Sequence, residues 1–184
     1  MDHRPVLATE RLLLRPFSPE DAPEVARLCA DREIASTTLQ IPHPYTLEDA
    51  RSFIRTQEDA WAQGTGAVFA VTLRETGELL GAVGLHLERE HRRAELGYWI
   101  GTAHWNRGYA TESVQAVVRF GFEDLGLHRI HAHHFGRNPS SGRVLLKAGF
   151  EAEGTLRGHV FKRGAYEDCR LYGLLRKGEG EKAR

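Results

Sequence analysis

The 184-residue chain reads as a single α/β (α+β) domain over residues 1–176, built on a mixed, mostly antiparallel twisted sheet of about seven strands with about four flanking helices. Three observations predict this. Hydrophobic residues make up 41% and charged residues 27%, the composition of a chain with a real core, and a chain of this size buries about 70% of its unfolded surface. Three apolar runs of strand length follow one another with only short polar stretches between them, which predicts an antiparallel meander. The third run is followed by a long amphipathic segment and another strand, so a right-handed crossover places a parallel pair at the centre of the sheet.

Taken in order, Thr9–Phe17 (TERLLLRPF) predicts a first strand ending at a proline. Ser18-Pro19-Glu20-Asp21 then opens a helix with a hydroxyl cap, a proline and acids in the first turn, and Val25, Leu28 and Cys29 form its buried stripe. After a loop holding Pro42 and Pro44, Thr46 caps a second helix. There Phe53, Ile54 and Trp61 recur at helical spacing until Gly64. The period changes to that of strands at Ala67–Leu73, Leu79–Leu87 and Arg93–Ile100, separated by Glu75–Glu78 and Glu88–Arg92. A long helix runs from about Gly108 to Leu125 with Val114, Val117, Val118, Gly121, Phe122 and Leu125 on one face. A strand at Arg129–Phe135, a helix at Pro139–Ala148 and strands at Phe150–Phe161 and Asp168–Leu175 complete the domain. No internal repeat or linker interrupts it, and 177–184 reads as a charged, frayed tail.

Composition narrows the function. The 25 basic residues equal the 25 acidic ones, so no net field selects nucleic acid or an anionic membrane. Cys29 and Cys169 lie far apart with no CxxC pair, which predicts buried thiols in a reducing compartment. The first residues carry no apolar leader, and no run has the length of a membrane span. The expected location is the cytoplasm.

The most informative segment is Gly101–Glu112, between an apolar strand and the long helix. A helix start offers unpaired amides and partial positive charge to an anion. Gly108 allows close approach, Ala110 leaves room above the first turn, and Arg107 adds a cation. A plain capping glycine would give the same local pattern. Known nucleotide signatures fail: Gly64-Thr65-Gly66 lacks the third glycine of a dinucleotide fingerprint, and Thr155 stands where a P-loop needs lysine. Local chemistry alone reaches an anion site.

The order of motifs is more specific. Glu95-Leu-Gly-Tyr-Trp-Ile-Gly101, Trp105-Asn-Arg-Gly-Tyr-Ala110-Thr-Glu112, Asn138-Pro-Ser-Ser141, Lys147-Ala-Gly-Phe150 and Glu153-Gly154 together resemble the GNAT acetyltransferase superfamily. The resemblance is strongest to its ribosomal-protein N-terminal acetyltransferases (the RimJ/RimL type), and it extends to the opening TERLLLRPF and to Gly164–Asp168. It implies a GNAT fold whose central parallel strands splay apart, and acetyl-CoA as cosubstrate. Trp105, Asn106, Arg107, Gly108, Tyr109, Ala110 and Thr111 would hold the diphosphate, with Trp105 in place of the usual glutamine or arginine. Tyr98, Trp99 and Ile100 would line the pantetheine cleft, and Asn138 and Ser141 would meet the pantetheine arm at its mouth.

Transfer needs an unprotonated amine beside the thioester, a proton acceptor and a donor to the carbonyl oxygen. A terminal α-amine, with a pKa of about 7.7–8.0, needs less help than a lysine at about 10.4. Glu95 shares strand parity with Gly97 and Trp99 and is the first candidate base; the competing reading is a solvated glutamate paired to Arg92 or Arg93. A backbone N–H near Ile100 is the candidate oxyanion donor. Ser141 matches the branch's proton donor, and also suits a helix-terminal serine. Tyr172 offers a second acid or a core tyrosine. Some relatives carry a glutamate base in the strand after Glu153-Gly154, where this chain reads Gly158-His159-Val160-Phe161, so the resemblance stops short of a ribosomal substrate and leaves His159 as a further candidate. His131 and His133 share a strand face without the further ligands that zinc needs, so no metal is expected. The acceptor reads as a protein or peptide N-terminus, with a polyamine, amino acid or aminoglycoside as the alternative, and a non-catalytic CoA-binding regulatory domain as a third reading. Acids at the mouth (Glu48, Asp49, Glu88) would favour polycations, and a neutral groove a peptide. Many relatives form homodimers, though no stripe here demands one.

Overall fold

The computed structural model describes residues 4–178. Glu179–Arg184 of the expected tail and Met1–His3 lie outside the described residues. One eight-stranded sheet has the order β1-β2-β3-β4-β5-β6-β8-β7. Its strands are β1 (Leu7–Ala8), β2 (Leu12–Arg15), β3 (Gly66–Leu73), β4 (Leu79–Glu88), β5 (Arg93–Ile100), β6 (Arg129–Phe135), β7 (Glu151–Lys162) and β8 (Ala165–Leu175). All neighbours are antiparallel except β5 and β6, the pair joined by the crossover helix. The helices are α1 (Ala22–Cys29), α2 (Arg32–Thr37), α3 (Leu47–Gln63), α4 (Tyr109–Glu123) and α5 (Pro139–Lys147).

The two faces of the sheet bury different sets of side chains. Phe69, Val83, Leu85, Ala94 and Ile130 pack under α4, where Phe69 meets Phe120 edge to face at 5.6 Å. Ala70, Ala82 and Trp99 pack under α1 and α3, where Phe17 meets Phe53 at 5.3 Å. Burial on both faces is why the central strands read as continuous apolar runs instead of alternating ones. Gly81 has a packing reason as well: a Cβ there would lie 2.1 Å from the Trp99 carbonyl oxygen, so β4 and β5 approach each other through bare backbone.

Three details depart from the sequence reading. The first strand is two pieces, because the Thr9 hydroxyl accepts the Leu12 amide at 2.9 Å and closes a turn. Helix α2, capped by the Asp31 carboxylate on the Glu33 amide at 2.9 Å, is too short to show periodicity. Strand β8 starts at Ala165, earlier than Asp168, because Arg163 and Gly164, both at positive φ, reverse the chain tightly. The capping of α3 follows the sequence: Thr46 and Asp49 bond each other's backbone, and Gly64 ends the helix at φ 68°.

Candidate active site

The parallel ladder between β5 and β6 holds three pairs and ends at Glu95–His131. Both strands continue, to Ile100 and Phe135, so beyond that rung their facing backbone edges have no ladder partner. Across this gap the Tyr98 hydroxyl lies 2.6 Å from Ser141 Oγ and 3.1 Å from the Ser141 carbonyl oxygen, on the first turn of α5. The phenol has one proton, so when it donates to the carbonyl the Ser141 hydroxyl donates to it. Burial pushes the Tyr98 phenol up to about 12, which keeps that proton in place at neutral pH.

At the far end of β5 the chain turns through Trp105, Asn106 (φ 61°) and Gly108 (φ 84°) into α4. The first intrahelical bond runs from the Glu112 amide to the Gly108 carbonyl at 3.0 Å. The amides of Tyr109, Ala110 and Thr111 therefore have no partner inside the helix, and no side chain caps them. Glu112 would oppose an anion at this end, but Arg11 neutralises it: Nε donates to Oε2 at 2.7 Å, while the Arg11 amide (3.0 Å) and the Thr9 hydroxyl (2.6 Å) donate to Oε1. Arg11 also donates to the Arg107 carbonyl at 3.0 Å and lies over the Tyr109 ring, joining the edge of the sheet to the loop. The Trp105 indole N–H donates to the Ile100 carbonyl at 2.5 Å, although the residue is 38% exposed. Trp105 thus anchors the loop to the end of β5. These features fit a diphosphate, and the unpaired strand edges fit an extended amide-bearing arm.

A cleft of about 890 Å³, walled by α3, by the segment between α2 and α3, and by the parting strands, reaches the gap, since Tyr98 and Ser141 also line it. Glu95, Gly97 and Trp99 from β5 and His133 and Phe135 from β6 form part of its floor. The wall segment is held in place from outside. Arg137 donates to the Ser36 carbonyl at 2.7 Å and to Glu167 at 2.8 Å. The Lys162 ammonium donates to the carbonyls of Thr38 and Leu39, and both cations lie over the Phe135 ring.

Glu95 is not paired to Arg92 or Arg93; Arg93 is bonded to Glu88 at 2.7 Å. Instead His133 Nδ1 lies 2.9 Å from Glu95 Oε1. The hydrogen bond raises the His133 pKa and holds the Glu95 carboxylate below the usual range. His131, on the same strand face, is shifted the other way by burial, which favours its neutral form. Tyr172 is only 9% exposed and sits in the core, with its hydroxyl 3.4 Å from His134 Nε2. His159 is exposed on β7 and is not among the residues lining the cleft. Asn138 caps α5, its side-chain oxygen facing the Ser141 amide at 3.4 Å. Ile100 contributes backbone only, since its side chain is buried.

The structure therefore brings Glu95, Tyr98, Trp99, Ile100, Asn138 and Ser141 to the two sides of one gap, with Trp105–Thr111 at its far end. It leaves Tyr172 in the packing beneath α5. Sequence reasoning missed Arg11, Glu112 and the pairing of His133 with Glu95, because each depends on contacts between distant segments. Among the described residues no group of three His, Cys, Asp or Glu side chains is arranged to hold a metal ion, and no helix is long and apolar enough to cross a membrane.

Comparison with known proteins agrees with this geometry. The family model for the acetyltransferase (GNAT) domain matches residues 11–151. The uncharacterized N-acetyltransferase YoaA of Bacillus subtilis is 37% identical over 95% of this chain and 99% of its own length. The ribosomal-protein-serine acetyltransferase of Escherichia coli is 29% identical over 70% of this chain and 71% of its own. Among solved structures, RimL, a ribosomal L7/L12 α-N-protein acetyltransferase in complex with coenzyme A, superposes with a TM-score of 0.86 over 93% of this chain and 98% of that one, at 17% identity. With its fold, its loop and the match over most of its length in agreement, the chain belongs to the GNAT family and is an N-acetyltransferase.

Proposed function

We propose that the chain transfers the acetyl group of acetyl-CoA to the α-amine of a protein or peptide N-terminus by direct attack. One observation supports the choice of acceptor: each acid in or near the cleft has at least one hydrogen-bond or ion-pair partner, and among the described residues only Asp49 and Glu95 line it. Asp49 accepts the Thr46 amide at 2.7 Å and the Thr46 hydroxyl at 2.6 Å as the cap of α3. Glu48 is paired to Arg55, Glu88 to Arg93 and Glu95 to His133. The remaining walls present hydroxyls and amides such as Thr37, Ser52, Thr56 and Gln57, beside apolar Phe53 and Trp99. A polycation needs free carboxylates in an enclosing mouth. A peptide backbone needs hydrogen-bonding groups and room, which this open groove offers. The name of the Escherichia coli relative, a ribosomal-protein-serine acetyltransferase, supports the same reading.

In this reading the first-turn amides of α4 hold the diphosphate, and the strand edges of the gap bond the pantetheine arm. Strand alternation puts the Ile100 N–H on the same side as its carbonyl, facing the gap, where it can donate to the developing oxyanion. When Tyr98 turns its proton to Ser141 Oγ instead, the Ser141 hydroxyl is polarised and its own proton is left for the departing sulfur. Glu95 lies at the base of the gap on the acceptor side.

Thiol release measured against short peptides of varied first residue, free amino acids and a linear polyamine tests the reading. Peptides should be the best acceptors by kcat/KM. A polyamine that outperforms every peptide would refute the acceptor assignment while leaving acetyl transfer intact.

A further inference from the structure

The Glu95–His131 rung is the last of the parallel ladder, so His133 is the first residue of β6 on that face beyond the point where the strands part. Continuing the register sets Gly97 across the gap from it. Gly97 has no side chain, and a Cβ there would meet nothing within 4 Å. Open space therefore adjoins the imidazole on the cleft side. His133 Nδ1 is engaged by Glu95 Oε1 at 2.9 Å, and among the described residues no hydrogen bond is made by Nε2. His133 lines the same cleft as Gly97, Tyr98 and Ser141, so an acceptor nitrogen in the groove comes within its surroundings.

We propose that His133, oriented by the Glu95 carboxylate, takes the proton from the acceptor amine. This rests on the acetyl transfer that the family performs, and holds whichever amine is the acceptor. Glu95 is then the positioning residue: it fixes the tautomer with hydrogen on Nδ1, leaves the Nε2 lone pair free and stabilises the imidazolium once formed. The amine lone pair forms the N–C bond to the thioester carbonyl carbon, and an N–H proton passes to His133 Nε2. The C–S bond breaks with its electrons going to sulfur, which takes the Ser141 proton. Ser141 regains a proton from solvent, to which the imidazolium releases its own. The net movement is one proton from nitrogen to sulfur. A neutral imidazole with its pKa raised above about 6.5 is matched to an α-ammonium at about 7.7–8.0 far better than an ordinary carboxylate at about 4.3.

The charged surroundings of His133 are few. Glu95 faces it from β5, with His86 of β4 in register beside Glu95. On β6 itself stand His131 and, on the other face, His134. On β8 its register partner is the uncharged Leu171, and the nearby Glu153–Arg129 pair lies toward His131. Lys162 and Arg137 lie over Phe135, and Asp49 is on the far wall. Among the described residues Glu95 is the one charged group that displaces the imidazole, raising its pKa against the opposing effect of burial.

The test combines the pH dependence of kcat/KM with NMR titration of the imidazole in the free enzyme, for the wild type, Glu95→Gln, His133→Asn and His133→Gln, using the best acceptor of the amine panel. The wild-type rate should rise with pH along a limb set by His133. In Glu95→Gln both that limb and the His133 titration should move to lower pH, toward the ordinary value. The His133 variants should lose the limb and about a hundredfold in rate, with acetyl-CoA binding changed less than about twofold. With the ionisation of the acceptor amine itself divided out, a limb at the wild-type His133 titration that persists in both His133 variants overturns the proposal, as does a His133 titration identical in wild type and Glu95→Gln. If no amine is turned over, the acceptor reading fails separately, and the imidazole titration still decides the pair.

Discussion

Replacing Trp105 with phenylalanine keeps an aromatic ring at the diphosphate loop and removes one N–H, the donor to the Ile100 carbonyl at 2.5 Å. A neutral hydrogen bond contributes about 0.5–1.5 kcal/mol net, and a buried carbonyl left without a partner costs up to about 3. Because Trp105 is 38% exposed, water can reach the freed oxygen, which puts the loss near the lower figure, about 1 kcal/mol. If the bond pre-orders the loop for the anion, the free protein of the variant samples other loop conformations. Binding then has to restore the order, and the acetyl-CoA Kd rises about fivefold. The same loss lowers the melting temperature by about 2–4 °C for a chain of this size. Calorimetric titration and thermal melts of the two proteins separate the cases. A lowered melting temperature with an unchanged Kd would mean that the anchor serves the fold equally with and without ligand, and would refute the pre-ordering argument.

Three further outcomes are expected. Ala110→Asp puts a negative charge over the first turn of α4, so acetyl-CoA affinity should fall at least about tenfold. The helix itself should not suffer, since an acid near its start is favourable; unchanged affinity in a binding titration would relocate the diphosphate. Lys162→Met keeps the stem and removes the donors to Thr38 and Leu39, and should raise the acceptor KM about fivefold with acetyl-CoA binding unaltered; equal damage to both would show that the hairpin contact acts on the whole fold. Burial alone would raise the Asp21 pKa, but the two 2.7 Å bonds from Arg15 and the Ser18 amide outweigh it and depress it. Its contribution is therefore complete above the unfolded value of about 3.9 and is lost as pH falls through the lower folded value. Asp21→Asn should cost about 3 kcal/mol in urea unfolding at pH 7 and less at pH 3; a cost independent of pH would contradict the assignment.

The parts of the fold that were legible in the sequence are those whose signals are local. The period change at Gly66, the Thr46–Asp49 cap and the continuous apolar runs of β3, β4 and β5 identify elements without reference to the rest of the chain. Helix α2 and strand β1 are too short for any periodicity to emerge. The same division holds at the site. The helix start at Trp105–Thr111 was legible because a glycine before an amphipathic helix is a local pattern, whereas its assignment to a diphosphate came only from the resemblance. The inward face of Glu95 followed from its parity with Gly97 and Trp99. The pair it forms with His133 was not legible, since parity fixes which residues of one strand share a face but not which faces of two strands meet. That is decided by the Glu95–His131 register, which the crossover helix and its packing set. The anchoring of Glu112 by Thr9 and Arg11 was hidden for the same reason.

The two walls of the gap come from separate stretches of chain. Trp105 and Arg11 brace the loop at the end of β5, whereas Lys162 of β7 braces the segment after α2 and Arg137, between β6 and α5, braces the end of α2 itself. Mutations that reshape residues 36–45 or the hairpin turn around Arg163 leave the diphosphate loop and its braces untouched. A lineage with this architecture can drift from one acceptor to another while its hold on the acetyl donor stays under constant selection. Grafting those two stretches between relatives is the economical route to retargeting the enzyme.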